Sequence, residues 1–394
     1  MGHQRAYRYR LYPTPEQAAT LARTFGAARY VYNWALRLRT DAYYERQERV
    51  SYAATSTALT ALKRESGTAW LNEVSSVPPQ QALRHLDRAF HNFFEGRARY
   101  PTFRKKRGPQ TAEYTTSAFR YDASTRTLTL AKMDAPVRIR WSRPLPDGVS
   151  PSTVTVSRDA AGRYFVSLLV EEDIAPLPPV TAQVGLDLGL RDTVVFHTGE
   201  REGNPRFFQQ DEERLAKAQR CLAKKQRGSK NRDKARRTVA RIHARIADRR
   251  RDFTHKLSTR IIRENQTICI ESLHVKAMVK HPTLAKAIHD VGWGEFVRQL
   301  TYKAAWYGRT FVAIDKWYPS SKRCSSCGHV LGSLSLDVRQ WTCPICASVH
   351  DRDVNAAKNV LAAGLAVSAC GEAVRPGRVR PPSAGLGEAG IPRL

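Results

Sequence analysis

The 394-residue sequence predicts an α/β multidomain chain. A β domain with a helical insertion comes first, then an α/β domain into which a four-cysteine ribbon is set. Three observations carry this reading. The period of the apolar residues changes from two to 3.6 and back to two between residues 5 and 172. A stiff run, Pro176-Leu177-Pro178-Pro179, then marks a boundary. Two Cys-x-x-Cys pairs separated by 15 residues lie late in the second half. The length suffices for two or three cores, and 42% hydrophobic content excludes a disordered basic tail.

The charge narrows the partner before any motif does. Sixty-five Lys+Arg against 36 Asp+Glu leave +29, with an isoelectric point near 10.3. An excess of this size argues against a small-metabolite enzyme and for a polyanionic partner. Of the cations 48 are Arg and 17 Lys. The guanidinium fork suits paired phosphate oxygens, although a GC-rich genome inflates Arg as well. Met1-Gly2-His3-Gln4-Arg5 has no apolar signal-peptide core, and no run approaches the ~18 apolar residues of a membrane span. Four of the seven cysteines form one pattern, while Cys221, Cys269 and Cys370 are scattered; a reducing, intracellular setting is expected.

In chain order, Tyr7, Tyr9 and Leu11 alternate with Arg8, Arg10 and Tyr12, as in a strand. Thr14-Pro15-Glu16-Gln17 supplies an N-cap, a helix-starting proline and a capping-box glutamine for a helix to about Arg39. More helix is expected over Ala58 to Lys63. After Pro78-Pro79, the residues Leu83, Leu86, Phe90, Phe93 and Phe94 define a buried helical face. Strands return with Thr127–Leu130 and Val137–Arg140. Thr153–Val156 and Tyr164–Val170 flank a turn at Asp159-Ala160-Ala161-Gly162, as in a hairpin. If the first strand joins this sheet, the helical block interrupts it. The expected β domain is 1–12 with 103–178, and the insertion 13–102. Beyond the prolines, an apolar strand runs from Val184 to Leu188 and on to Phe196. Residues 214–263 carry 19 Lys/Arg and three Asp/Glu, with apolar Val239, Ile242, Ile246, Phe253 and Leu257 at helical spacing. A helical pair broken at Gly228-Ser229 follows, and its charge would repel itself without a polyanion. The last 24 residues hold five Gly and four Pro, so a disordered tail is expected over 365–394.

The ribbon, 321–348, contains Cys324-Ser325-Ser326-Cys327 and Cys343-Pro344-Ile345-Cys346. Two thiolates three apart bind one metal from a tight turn, and two such turns complete a tetrahedron. The spacing favours structural zinc over redox cysteines or disulfides. Gly328 fits the knuckle's demand for positive φ, and Trp341 and Leu336 are the expected cover.

Three carboxylates stand at the ends of apolar segments. Asp187 follows Val184-Gly185-Leu186, Glu271 follows Thr267-Ile268-Cys269-Ile270, and Asp353 sits in His350-Asp351-Arg352-Asp353-Val354-Asn355. Singly each has an ordinary reading: a Gly-flanked turn, a strand-end acid, a helix N-cap. Converging on one divalent pair, they are what in-line, two-metal phosphodiester hydrolysis needs, with oxygen ligands suited to magnesium or manganese.

At these residues the chain resembles the TnpB family, transposon-encoded RNA-guided nucleases related to type V CRISPR effectors. The likeness is an ordered series. Arg10-Leu11-Tyr12-Pro13-Thr14-Pro15-Glu16-Gln17 is similar to the family's opening and Tyr100-Pro101-Thr102-Phe103-Arg104-Lys105-Lys106 to its next signature. Gly185-Leu186-Asp187-Leu188-Gly189 and Ile270-Glu271-Ser272-Leu273 are similar to two RuvC motifs. Trp293-Gly294-Glu295-Phe296 and Tyr302-Lys303-Ala304 lead to Pro319-Ser320-Ser321-Lys322-Arg323-Cys324, the ribbon and Asp351-Arg352-Asp353-Val354-Asn355-Ala356-Ala357.

The resemblance implies an N-terminal β-barrel-like, wedge-like domain with an inserted helical bundle. It further implies an RNase-H-like RuvC nuclease domain (179–320 and 349–364) with the inserted zinc ribbon. Implied cofactors are Mg2+ or Mn2+ on Asp187, Glu271 and Asp353, with Asp351 the alternative third acid, and structural Zn2+ on the four ribbon cysteines. Ser272 and Ala347 depart from the family pattern without removing a ligand. Implied partners are a guide RNA and target double-stranded DNA, with no membrane. The implied setting is bacterial or archaeal cytoplasm, near the nucleoid. Candidate nucleic-acid contacts are Tyr52, Gln80 and Gln81 in the insertion, Arg104, Lys105 and Lys106, and Lys224, Lys225, Arg236 and Arg237 in the basic pair. The expected function is RNA-guided DNA cleavage beside a short target-adjacent motif. The alternatives are a guide-directed repressor that does not cut and a strand-transfer transposase.

Overall fold

The computed structural model describes residues 2–335 and 337–369. Leu336, Cys370 and the expected tail from residue 370 onward lie outside the described residues. The chain divides into two units between Asp173 and Ile174.

In the first unit, β1 (His3–Tyr12) is followed by α1 (Pro15–Arg46), α2 (Tyr52–Leu62) and α3 (Val77–Phe94). The chain then forms β2 (Gln110–Thr115), β3 (Phe119–Asp122), β4 (Thr127–Leu130), β5 (Arg138–Arg140), β6 (Thr153–Arg158) and β7 (Tyr164–Glu172). Alternation in β1 buries Tyr7, Tyr9 and Leu11, and the strand pairs antiparallel with β7 from His3↔Glu172 to Leu11↔Tyr164. The sheet order is β2-β6-β7-β1-β5, so the helical block between β1 and β2 interrupts one antiparallel sheet. The capping box forms in full, Thr14 with Gln17. The first helix runs past Arg39 to Arg46 because nothing in that turn breaks it; Gln47, at φ 56°, ends it. Pro78 and Pro79 lie inside the first turn of α3 rather than ahead of it, where their missing N–H groups cost nothing. Leu83, Leu86 and Phe90 are buried against α1 and α2, but Phe94 is 75% exposed, so the apolar stripe ends a turn early.

The second unit is built on β8 (Gln183–Asp187), β9 (Asp192–Phe196), β10 (Arg201–Gly203), β11 (Thr267–Glu271) and β12 (Thr310–Ile314). The single strand expected from 184 to 196 is in fact a hairpin: Leu188–Arg191 turn back, and β9 runs antiparallel to β8. Sheet order is β10-β9-β8-β11-β12, with β8, β11 and β12 parallel. Helices α4 (Phe207–Ala223) and α5 (Lys230–Glu264) form the basic pair, with Ser229 as the N-cap of α5. They pack through Leu215, Val239, Ile242 and Ile246, which leaves the charged faces outward. After α6 (Val275–Met278) and α7 (Ala285–Val291), α8 (Trp293–Tyr307) lies beside α5. A small hairpin of β13 (Gln340–Thr342) and β14 (Val349–Asp351) precedes α9 (Arg352–Ala369), so residues 365–369 are helix, not tail.

Period two sorts the central strands between two helical layers. Val184, Leu186, Ile268 and Ile270 pack with Leu257, Ile261, Phe296 and Leu300 of α5 and α8. Gly185 and Cys269 face the other way, against α9. A Cβ on Gly185 would lie 2.2 Å from the Ala357 carbonyl oxygen; one on Gly364 would lie 2.4 Å from Cys269 Sγ. Helix α9 therefore rests on bare backbone. Burial pushes the Cys269 thiol up to about 11, which suits a small apolar side chain.

Candidate active site and metal centre

The alternation that turns Gly185 and Cys269 toward α9 does the same for Asp187 and Glu271, two residues further along each strand. Leu186 is in register with Ile270, so both acids end adjacent parallel strands at one edge of the sheet. Asp353 lies in the first turn of α9, where the helix dipole favours a negative charge. Asp187 retains some accessibility yet is crowded by protein on most sides. Burial, then the charges of Asp353 and Glu271, push its carboxyl from the ordinary 3.8 up to about 7, while Arg352 and Arg201 pull it back. Glu271 is also raised by burial, with the Ser320 hydroxyl acting in the opposite direction. Two carboxylates thus bear on a buried third, Asp187, a cost that a cation would remove.

The neighbouring Asp351 does different work. Its Oδ1 accepts from the backbone N–H groups of Asp353 (3.1 Å) and Val354 (3.0 Å), so Asp351 is the cap of α9. Its carboxylate also takes Arg201 Nη2 at 2.8 Å. Arg201 reaches Asp192 at 3.0 Å and lies 3.7 Å from Asp353 Oδ2, while Arg339 stands 3.6 Å from the same oxygen. These arginines carried no signal in the sequence, since each is one of 48.

The ribbon cysteines converge. Their sulfurs lie within 4.8 Å of one another, with Cys324–Cys346 and Cys327–Cys343 each at 3.6 Å. A tetrahedron with Zn–S near 2.3 Å has edges of about 3.8 Å, so the four sulfurs fit zinc. Among the described residues this is the one group of three or more potential ligands drawn so close. The knuckles repeat one pattern: Gly328 N–H donates to Cys324 O and Ala347 N–H to Cys343 O. Gly328 has φ 81° and Ala347 φ 59°, so the departure at Ala347 places a side chain in a left-handed position. Trp341 covers the site with Leu331, Leu334 and Val338. His350 Nε2 lies 3.0 Å from Cys324 Sγ and was not foreseen.

Ribbon and acids are clasped together. Asn355 and Asn359, one turn apart on α9, donate to the Arg323 carbonyl at 2.7 and 2.6 Å, and Asn359 to that of Ser320 at 2.8 Å. Asn355 Oδ1 accepts from Ser325 N–H inside the first knuckle at 2.9 Å. Their i, i+4 spacing just after Asp353 was the available signal.

The other candidates scatter. Tyr52 is half-buried, its hydroxyl accepting from Arg84; Gln80 is exposed, whereas Gln81 is buried in α3. Arg104 is half-buried over the Tyr32 ring, and Asn33 holds its backbone N–H and C=O together. Lys105, Lys106, Lys224, Lys225, Arg236 and Arg237 are exposed, with Arg236 also paired to Asp233. Among the described residues no helix is long and apolar enough to cross a membrane.

The fold is mixed α/β and has a solved counterpart. It matches the cryo-EM structure of a Cas12f1-sgRNA-target DNA complex at TM-score 0.55 and 13% identity, over 91% of this chain and 98% of that one. Family models match residues 166–281 ("Probable transposase"), 293–360 ("Cas12f1-like, TNB domain") and 1–48 ("Helix-turn-helix domain"). The last span is a strand and one unbroken helix here. A "Putative RNA-guided DNA endonuclease" of Streptomyces pristinaespiralis is 58% identical over 376 residues, covering 95% of this chain and 93% of its own. The "Putative RNA-guided DNA endonuclease InsQ" of Escherichia coli K12 is 34% identical, covering 96% of each. The chain belongs to the TnpB family.

Proposed function

We propose that this protein is an RNA-guided DNA endonuclease. It binds a transposon-derived guide RNA, reads a short target-adjacent motif and cuts DNA at an RNase-H-like, RuvC-type site formed by Asp187, Glu271 and Asp353. The observation that carries the proposal is the placement of Asp187 and Glu271 at the ends of adjacent parallel strands, with Asp353 in the first turn of the helix packed on that face. The three carboxylates are hard oxygen donors and suit magnesium or manganese. When bound, such a cation supplies charge stabilisation to the phosphodiester and a more acidic water.

The chain's own residues do the rest. Asp187 gives up its proton before the site can accept a cation. Arg201 and Arg352 temper the negative charge at that step. The Asn355–Asn359 clasp and the zinc ribbon hold the start of α9, and so hold Asp353. The outward faces of α4 and α5 neutralise backbone phosphates, while guide pairing, not the protein, selects the target. The first unit is proposed as the wedge-like β domain with its recognition insertion. A non-cleaving repressor would not need all three acids, and a strand-transfer transposase would act without RNA.

The test is to purify the protein, sequence the RNA that accompanies it and assay DNA cutting. Cutting should fail in EDTA and return with magnesium. A fully active RNA-free preparation, or one active without divalent metal, would overturn the proposal.

A further inference from the structure

We propose that Trp317 is a stacking site for one base of the DNA strand presented to the acids. The inference rests on the nuclease reading above and adds a substrate contact to it. A single exposed apolar side chain ordinarily needs no explanation. Trp317 differs in three respects.

The first is exposure: at 80%, an indole is left almost wholly in water. The second is rigidity. Trp317 N–H donates to Asp315 Oδ1 at 2.7 Å, Tyr318 N–H donates to the Asp315 carbonyl at 3.2 Å, and Tyr318 packs into the cluster of Cys269, Val312, Ile314 and Val360. The backbone is thus held at Trp317 and at the next residue, so the indole projects from a fixed turn.

The third is position. The loop leaves the sheet at Ile314, which is in register with Glu271, and Ser272 N–H donates to the Ile314 carbonyl at 3.2 Å. It returns at Ser320, whose hydroxyl acts on Glu271. Trp317 is three residues from either anchor, which limits its backbone to about 11 Å from each. Lys316 Nζ stands over one face of the Trp317 ring, 4.9 Å from its centre, so a base would stack on the opposite face with a cation close by for its phosphate. Aromatic stacking accepts any base, but only from an unpaired strand, since a duplex keeps its base faces covered. Sequence-independent grip on a single strand is what a site that takes its sequence from a guide requires.

The test uses the full chain with the RNA it carries and a short deoxyadenylate oligomer in EDTA, so that binding is read without cutting. Tryptophan emission should fall on titration, and Trp317→Phe should lose that component of the quench while binding within about threefold of wild type. Trp317→Ala should bind roughly tenfold more weakly. In magnesium, Trp317→Ala should raise KM for a cleaved single strand by a similar factor with kcat within about twofold. Equal oligomer affinity in Trp317→Ala overturns the inference, as does a fall in kcat with KM unchanged, which would mean the indole merely props the acid site. Loss of self-association in Trp317→Ala with oligomer binding intact would assign the indole to a second copy instead. A wild type that cuts DNA without a Trp317-dependent quench would defeat this inference alone, whereas one that cuts no DNA would defeat the nuclease reading on which it rests.

Discussion

Adding one methyl at Gly185 tests whether α9 must lie on the bare backbone of β8. The new Cβ would stand 2.2 Å from the Ala357 carbonyl oxygen, 2.7 Å from Leu361 Cβ and 2.8 Å from Leu361 N. Comfortable contact begins near 3.5 Å, so α9 must lift by roughly 1 Å. Two of the three obstacles are backbone atoms that cannot rotate away, which places the cost at the upper end of overpacking, about 3 kcal/mol. For a unit of this size that corresponds to a fall in Tm of roughly 6–12 °C. Function should suffer more than stability, because Asp353 travels with α9 and a misplacement of about 1 Å costs on the order of a hundredfold in rate. The assay is thermal unfolding together with cleavage at 20 °C, well below the transition. Gly364→Ala is the control: its obstacle is the Cys269 side chain, so adding Cys269→Ala should recover part of the loss, a rescue unavailable at Gly185. Wild-type Tm and cleavage in Gly185→Ala would mean that α9 does not need the bare backbone of β8.

Other consequences concern the acids and the zinc. Because Asp187 holds its proton to about 7 in the folded chain but releases it near 3.8 when unfolded, metal-free protein should lose stability as pH rises through that window. Asp187→Asn should reduce that slope in thermal melts at pH 5 and 7.5, leaving the smaller part due to Glu271; an unchanged slope would place the titration elsewhere. Cleavage should rise with pH toward a plateau above about 7, and Arg201→Ala, which removes a charge that lowers the Asp187 pKa, should move the midpoint upward. Asp351→Ala should cost about 1 kcal/mol as a lost cap while retaining cleavage, and Asp353→Ala should retain the fold and lose cleavage; the reverse would exchange their roles. Metal analysis should find one zinc per chain, Cys343→Ser should lose both zinc and cleavage through the Asn355–Asn359 clasp, and Ala347→Gly should slow zinc release to a chelator, since glycine removes about 1 kcal/mol of left-handed strain.

What the sequence made legible was local. Paired cysteines three apart, a capping box at Thr14–Gln17, and acids closing apolar strands all announce themselves within a few residues. Three-dimensional register was not legible. That Asp187 and Glu271 share a face follows from the Leu186↔Ile270 pairing across more than 80 residues, and no window contains it. The turn at Leu188–Arg191 was hidden because both strands of the hairpin are apolar and read as one. Asp351 and Asp353 look alike in sequence, and only the start of α9 separates cap from candidate ligand. Arg104 reads as a free cation, whereas Asn33 and Tyr32, 71 and 72 residues earlier, fix it. Phe94 continues the apolar stripe of α3 yet lies exposed, because periodicity gives a face but not where its cover ends.

The most direct measurement replaces the guide segment of the co-purified RNA and presents linear DNA that matches either the old or the new guide, in magnesium, to wild type and to Asp187→Ala. Wild type should cut only DNA matching the RNA it carries, and Asp187→Ala should bind the same DNA without cutting it. Cutting that ignores the RNA, or that survives Asp187→Ala, would contradict RNA-guided cleavage at Asp187.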